Sequence, residues 1–398
     1  MAKFSNSGNE KYPMKVLIIE DQNAKFDAVS EQVIECYADI SVTIVRAETM
    51  QEATKRLYES RFDLIVADLM LPIRDKNEDP IDISDDIVGV IENSDKNRGS
   101  NVVALTGFND LYAEKREVFN DAGILIVRYG GEKEEWRRSL AAVLGRVREQ
   151  ESFDFVVLCA LEKERGGFRQ TSAVLGPMKN VRGIDCLIAR IGDLRGAIVR
   201  LPRMGLVEAS ISTTRVLEHF KPRLVAMSGI CAGVVGNSKI GTVVVADICW
   251  EYQVGKWATN GFKMEHYDVP LDENVKTTIN QFIEQDPKGK KVKDGLIDDA
   301  VIFEEMSIGP MATGSAVIAD EEKITAIHGQ HRKMVALDME MFGVYRAAFS
   351  SAHAPIYFGA KMVVDLADGN KNDKYHDYGC AASARLIVEL IPLLLDKE

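Results

Sequence analysis

Two α/β units in series is the fold class that the 398-residue sequence predicts, and three observations predict it. Short apolar runs ending in acidic or polar residues recur through the first 150 residues with helix-like stretches between them, the pattern of parallel strands buried on both faces. A hydrophobic content of 46% over this length is enough for two packed cores. A helical segment closes the first set of runs at residue 148, and a new apolar strand opens at Phe153.

Residues 1–13 (MAKFSNSGNEKYP) are polar and read as a flexible tail with no signal-peptide core. Residues 15–20 (KVLIIE), 62–67, 101–105 and 124–127 are the strand candidates of a doubly wound sheet in a unit spanning 14–148. Between them, 72–100 is rich in Asp, Asn, Glu and Lys and reads as a helix flanked by enlarged surface loops. Residues 134–148 carry Trp136, Leu140, Val143, Leu144 and Val147 at helical spacing. A linker at 149–152 is short enough to transmit a rotation mechanically. In the second unit, 153–398, strands 185–191 and 197–201 meet through GDLRG as a hairpin. Further strands are expected at 224–227, 242–246 and 355–362, and helices at 206–219, 339–350 and 381–395, giving an α/β/α layout around a mixed sheet.

Charge and cysteine usage narrow the function. Up to residue 150 there are 20 Lys+Arg against 28 Asp+Glu, net −8; the remainder has 29 against 33, net −4. That acidity disfavours DNA binding. No segment reaches 18 uninterrupted apolar residues, so no membrane span is expected and the localisation reads as cytoplasmic. The six cysteines lack a CxxC spacing and read as buried thiols of a reducing compartment, with no zinc site and no disulfide. His328 and His331 form an HxxH pair with no third ligand in view.

Two constellations carry chemistry. Glu20 and Asp21 end the first strand and Asp68 ends a later one, where open α/β sheets bind ligands. Three converging carboxylates call for a hard cation such as Mg²⁺, which also shields an incoming phosphoryl group while a carboxylate attacks it. Thr106, ending VVALT, is set to meet a phosphoryl oxygen. With VLIIED, LIVADLMLP and ALTG in order, residues 14–148 resemble the flavodoxin-like receiver domain of bacterial response regulators. The resemblance implies phosphorylation of Asp68 by a sensor histidine kinase or small phosphodonor. It also implies a metal held by Glu20, Asp21, Asp68 and the backbone carbonyl of Met70, and a switch at Thr106. Where receivers carry Lys-Pro after the last strand, this chain has Arg128 and Tyr129, and Leu125 stands at the aromatic switch position. Arg128 keeps the charge in planar form.

The second constellation suits glycosidic cleavage, which needs a positioned water, support for the sugar hydroxyls and an acid for the leaving base. Glu164 (ALEKE) is the candidate for the water, Glu340 (LDMEM) for the ribose with Met339 packing on the sugar, and Asp365 (VDLAD) for the purine nitrogen. Together with MGLVEAS, LEHFKP, SGICAG, KIGTVVVAD and GSAVIAD in order, these resemble the nucleoside phosphorylase and nucleosidase superfamily, most of all the methylthioadenosine/S-adenosylhomocysteine nucleosidases. The resemblance implies a nucleoside phosphorylase-like fold and a homo-oligomer, dimer or hexamer. It places Gly229 and Val317 at the substrate and requires no cofactor for cleavage. Met227 and Ile230 stand where phosphorolytic relatives bind phosphate, which makes water the nucleophile. Val317 replaces a base-stacking phenylalanine, leaving Tyr252 or Trp257 to grip the base, with core packing the alternative for both.

Arg203, Arg165 and Lys371, with Arg169 and Lys374, offer charge for a triphosphate, or are exposed surface cations. A receiver joined to this enzyme domain resembles the effectors of Detocs-type antiphage systems, which implies hydrolysis of ATP or dATP to adenine and ribose triphosphate under control by phosphorylation. A methylthioadenosine-type nucleosidase under two-component control and a non-catalytic nucleotide sensor remain alternatives.

Overall fold

The computed structural model describes residues 14–38, 41–94, 96–97, 100–121, 124–130, 133–149, 153–259, 261–265, 267–296, 303–318, 320–367 and 373–395. The chain divides into two compact units, Met1–Ser152 and Phe153–Glu398.

The first unit is a five-stranded parallel sheet of Met14–Ile19, Val42–Ala47, Leu64–Ala67, Asn101–Thr106 and Leu125–Arg128, in spatial order second, first, third, fourth, fifth. Alternation along the strands feeds two cores. Val16 and Ile18 pack with Val29, Val33, Leu140 and Leu144 on one face, while Leu17 and Ile19 pack with Ala53, Leu57, Ile87 and Ile91 on the other. Strand order reverses beside Met14–Ile19, so the crevice at the carboxyl ends brings Glu20, Asp21 and Asp68 together. Val42–Ala47 is a strand the apolar-run reading does not contain. It is an edge strand, mostly half-exposed and carrying Thr43 and Arg46, so it lacks a continuous apolar run. Within 72–100 the helix is Ser84–Asn93, preceded by a small ladder of Met70–Leu71 with Ile81–Asp82.

The second unit is built on a mixed sheet. One path runs Val269–Pro270, Val243–Glu251, Met306–Thr313, Ala336–Asp338, Leu224–Gly233, Phe155–Cys159, Leu194–Arg200, Ile184–Ile191, Val174–Val181. Ile356–Asp365 pairs in parallel with Leu224–Gly233 and antiparallel with Val243–Glu251, closing five strands into a ring. The hairpin of Ile184–Ile191 and Leu194–Arg200 turns at Gly192 (φ 58°). Five of the six cysteines are buried.

His376–Leu395 begins five residues before the helix expected at 381–395. The segment Asp373–Leu395 is long and apolar enough to cross a membrane, its most apolar 18-residue stretch having a mean hydropathy of 1.6, yet 78% of that stretch lies inside the fold. A helix buried over most of its surface has only a narrow polar face, so apolar periodicity does not mark its first turn. The small residues of GCAASA let it approach closely: a Cβ on Gly167 would lie 2.4 Å from the Cys380 carbonyl oxygen. Gly167→Ala is therefore expected to cost about 1–3 kcal/mol in urea denaturation, since backbone rather than a movable side chain must give way. An unchanged midpoint would show that the helix is not seated on this turn.

Candidate functional site

The strand Phe155–Cys159 runs into the helix Glu162–Gly166, and Glu164 folds back over the junction. Its Oε2 accepts from the amides of Ala160 (2.7 Å) and Leu161 (2.9 Å), and its Oε1 from the amide of Ile230 (3.1 Å). Three amides thus fix a buried carboxylate against the strand Leu224–Gly233. Gly229 is what permits this approach, because a Cβ there would sit 2.3 Å from Oε1. Burial raises the Glu164 pKa, and the lowering effect of Lys361 and the amides does not cancel it.

Lys361 is 1% exposed and lies in the centre of Ile356–Asp365. Its Nζ is 2.7 Å from Asp338 Oδ2 and 2.8 Å from Glu340 Oε2. Asp338 Oδ2 also accepts from the amides of Glu340 (3.1 Å) and Met341 (2.8 Å), capping the helix Met341–Phe349. Its Oδ1 accepts from the Thr313 hydroxyl (2.6 Å), which itself accepts from the Phe342 amide (3.0 Å). The second oxygen of Glu340 takes the amide of Gly205 (3.0 Å), whose φ of 120° suits glycine. Burial alone would lower the Lys361 pKa, but Asp338, Glu340 and Glu164 hold it well above the ordinary value, so the ammonium is permanent.

Asp365 ends the same strand. The register pairs Cys231 with Val363 and Ala232 with Asp365, so Val364 is an extra residue immediately before it. Such a bulge re-aims the following side chain. Asp365 Oδ1 accepts from the Ala367 amide (2.8 Å), and Ala367 adopts φ 58° to supply it. Nearby, Lys163 Nζ contacts His376 Nδ1, which is also 3.2 Å from Asp373 Oδ1. Burial first, and then Lys163, lowers the His376 pKa.

Glu164 and Glu340 thus meet around Lys361, with Asp365 four residues along the same strand. The register joins them: Gly229 pairs with Lys361, and Ile230 with Met362. Met339 lies half-buried between Asp338 and Glu340. Val317 is 62% exposed. Arg203 has a side chain 83% exposed and an ion pair with Glu208 at 3.4 Å. Arg165 departs from the reading as a substrate contact: it is buried and bonded to Asp185 at 2.7 Å, an acid shared with Arg200 at 3.1 Å. Arg169 and Lys374 are exposed, and Lys371 lies outside the described residues. Tyr252 is buried against Gly314, whereas Trp257 is 78% exposed on the hairpin Gly255–Ala258/Gly261–Met264, so core packing does not hold for it. Lys361, Asp338, Lys163 and His376 were not anticipated as site residues. A lone lysine inside the apolar strand IYFGAKMVVD is the signal that marks Lys361.

In the first unit, Glu20, Asp21 and Asp68 bring one oxygen each to within 4.8 Å of one another, a hard-oxygen set that fits a divalent cation. Burial, opposed by Lys25, raises Glu20 to about 7, and burial likewise raises Asp68. The cation in this pocket is Lys25, 2.8 Å from Glu20 Oε2 and 2.6 Å from Asp68 Oδ2. Arg128, the residue expected to supply the charge, is exposed at the end of its strand. Thr106 is buried and its hydroxyl accepts from the Phe108 amide (3.2 Å). The Met70 amide lies 3.4 Å from Asp68 Oδ1.

Lys361→Met is expected to destabilise the protein by about 3–5 kcal/mol in urea denaturation, because it strands Asp338 and Glu340 in a buried site. A loss below about 1 kcal/mol, the range of an exposed pair, would contradict the buried network.

A model of the phosphorylase superfamily matches residues 154–391. Over 96% of its length the chain is 24% identical to the whole of the uncharacterized protein y4jS of Sinorhizobium fredii. It is 22% identical over 50% of its length to the ATP nucleosidase Cap17 of Escherichia coli, of which it spans 42%. It is 24% identical over 60% of its length to the 5'-methylthioadenosine/S-adenosylhomocysteine nucleosidase of Haemophilus influenzae, spanning 94% of that protein. Among solved structures, the corresponding Helicobacter pylori nucleosidase matches in fold with a TM-score of 0.50 at 15% identity, over 61% of this chain and 99% of that one. Since the family match takes in more than half of the chain, the protein belongs to the phosphorylase superfamily.

Proposed function

We propose that this chain hydrolyses the N-glycosidic bond of a purine nucleotide, ATP or dATP, and that its first unit is a phospho-acceptor receiver governing the reaction. The observation that carries the enzymatic reading is the pair of buried acids, Glu164 and Glu340, gathered around Lys361 with Asp365 on the same strand. Glu164 orients water and takes its proton. Glu340, held in place by Lys361, accepts from the ribose hydroxyls and favours the positive charge that develops on the sugar. Asp365 delivers a proton to the departing purine. Met227 is fully buried and the Ile230 amide is committed to Glu164, which supports water over phosphate as nucleophile.

The triphosphate reading is supported by the likeness to an ATP nucleosidase and by the Lys163 ammonium, which contacts His376 in the neighbourhood of Asp365. The receiver reading is supported by the strand order and by the acids at its switch point. Mg²⁺ held by Glu20, Asp21 and Asp68 would neutralise charge on the incoming phosphoryl group. We further propose a cytoplasmic homo-oligomer, phosphorylated by a histidine kinase, that depletes ATP as an antiphage effector. A second reading, methylthioadenosine/S-adenosylhomocysteine hydrolysis, is favoured by the nearly complete coverage of those relatives.

Chromatography of reactions with ATP, dATP, AMP and methylthioadenosine, with and without inorganic phosphate and acetyl phosphate, separates these readings. Adenine and ribose triphosphate are expected, with Asp365→Asn slower by about a hundredfold or more. Turnover of methylthioadenosine alone would favour the second reading, and no adenine from any substrate would remove both. The same assay run against pH has a signed expectation. Glu164 works as a base only when ionised and burial raises its pKa, so kcat/KM falls on acidification through a pKa above the ordinary value of about 4.3. Glu164→Gln is expected to remove this acid limb, and a limb unchanged in that variant would assign it to another group.

A further inference from the structure

We propose that Lys25, delivered from the first turn of the helix Asn23–Cys36, is the phosphoryl-binding cation of the first unit and competes there with the divalent metal. The inference rests on reading that unit as a phospho-acceptor. Its ground is the occupancy of the Glu20 and Asp68 carboxylate oxygens. Glu20 Oε1 accepts from the Gln22 amide (2.9 Å), and Asp68 Oδ1 accepts from the Leu69 amide (2.7 Å). The remaining oxygens, Glu20 Oε2 and Asp68 Oδ2, are the two that Lys25 holds. A metal drawing on both acids therefore shares or displaces the ammonium.

The lysine is built into this position. Its side chain is 5% exposed, and the third donor of its ammonium goes to the Leu105 carbonyl (3.2 Å). The ammonium lies 5.2 Å from the centre of the Tyr129 ring. Arg46 braces the turn leading into the helix, donating to the carbonyls of Glu20 (3.0 Å) and Asp21 (2.8 Å) and to Asn23 Oδ1 (2.7 Å). The compact charge expected after the last strand, where Arg128 and Tyr129 stand, thus comes from the first helix.

Phosphoryl transfer gives this charge a task. When Asp68 Oδ2 attacks the phosphorus of acetyl phosphate, an O–P bond forms, the P–O bond to the acetyl carboxylate breaks, and acetate leaves with its electron pair. Negative charge moves outward from Asp68 onto the phosphoryl oxygens. An ammonium on a flexible four-carbon stem can follow it, whereas a guanidinium fork fits a fixed planar partner. Following it loosens the bond to the Leu105 carbonyl, directly before Thr106.

The test uses the full chain, with Lys25→Gln beside Arg128→Gln. Folding is checked by circular dichroism, Mg²⁺ binding by calorimetry and Asp68 modification by acetyl phosphate on phosphate-affinity gels. Lys25→Gln is expected to bind Mg²⁺ about tenfold tighter and to be phosphorylated about tenfold more slowly, the opposite signs separating this role from a structural one. Arg128→Gln is expected to change neither. Amine acylation of wild-type Lys25, read by peptide mass spectrometry, needs no variant: Lys25 is expected to be protected, to become reactive on Mg²⁺ addition and to be protected again with acetyl phosphate present. Phosphorylation of Lys25→Gln at the wild-type rate, loss in Arg128→Gln instead, or Lys25 reactivity indifferent to Mg²⁺ overturns the role while leaving the acceptor reading intact. Failure of Asp68 to be modified in wild type overturns both.

Discussion

Asp338 and Glu340 lie two residues apart in a buried turn, and two carboxylates so placed would repel and desolvate one another without a cation between them. Lys361 is that cation, at 2.7 and 2.8 Å. Four separate pieces of chain meet on it directly or through its partners: the strand Ile356–Asp365, the end of Ala336–Asp338, Thr313 at the end of its strand, and the turn at Gly205. Breaking such a pair is costly because the partner is left charged and dry. The same group that organises the pocket also sets its electrostatics, since it keeps Glu340 paired while opposing, without cancelling, the rise in the Glu164 pKa.

The first unit uses a related arrangement with a different freedom of movement. Lys25 also bridges two buried carboxylates, Glu20 and Asp68, at the carboxyl ends of parallel strands. Lys361 lies in a central strand with neighbours on both sides, whereas Lys25 reaches across from the first turn of a helix. A lysine in the middle of a sheet is held by the ladder around it. One entering from a helix end can exchange partners by rotating its stem. That difference suits a permanent pocket charge in one unit and a movable one in the other.

Much of this was legible along the chain. Apolar runs located four of the five strands of the first unit, and the hairpin and the helices Leu206–Phe220 and Met341–Phe349 followed from local pattern. Val42–Ala47 escaped because an edge strand has no continuous apolar run, and the start of His376–Leu395 because a mostly buried helix has only a narrow polar stripe. Acids at strand ends drew attention to Glu20, Asp68, Glu164 and Asp365 by position.

The sequence by itself determined which residue types stand at the ends of which strands: acids after apolar runs, a glycine before Ile230, a lysine inside IYFGAKMVVD. Only the tertiary structure decided which charges meet. Arg165, read as a substrate contact, is committed to Asp185, Arg128 faces solvent, and Lys25 and Lys361 take the two acidic pockets. The reason is physical. A buried charge must find its partner across neighbouring strands, and that neighbourhood, such as Gly229 opposite Lys361, arises from pairing residues more than a hundred positions apart.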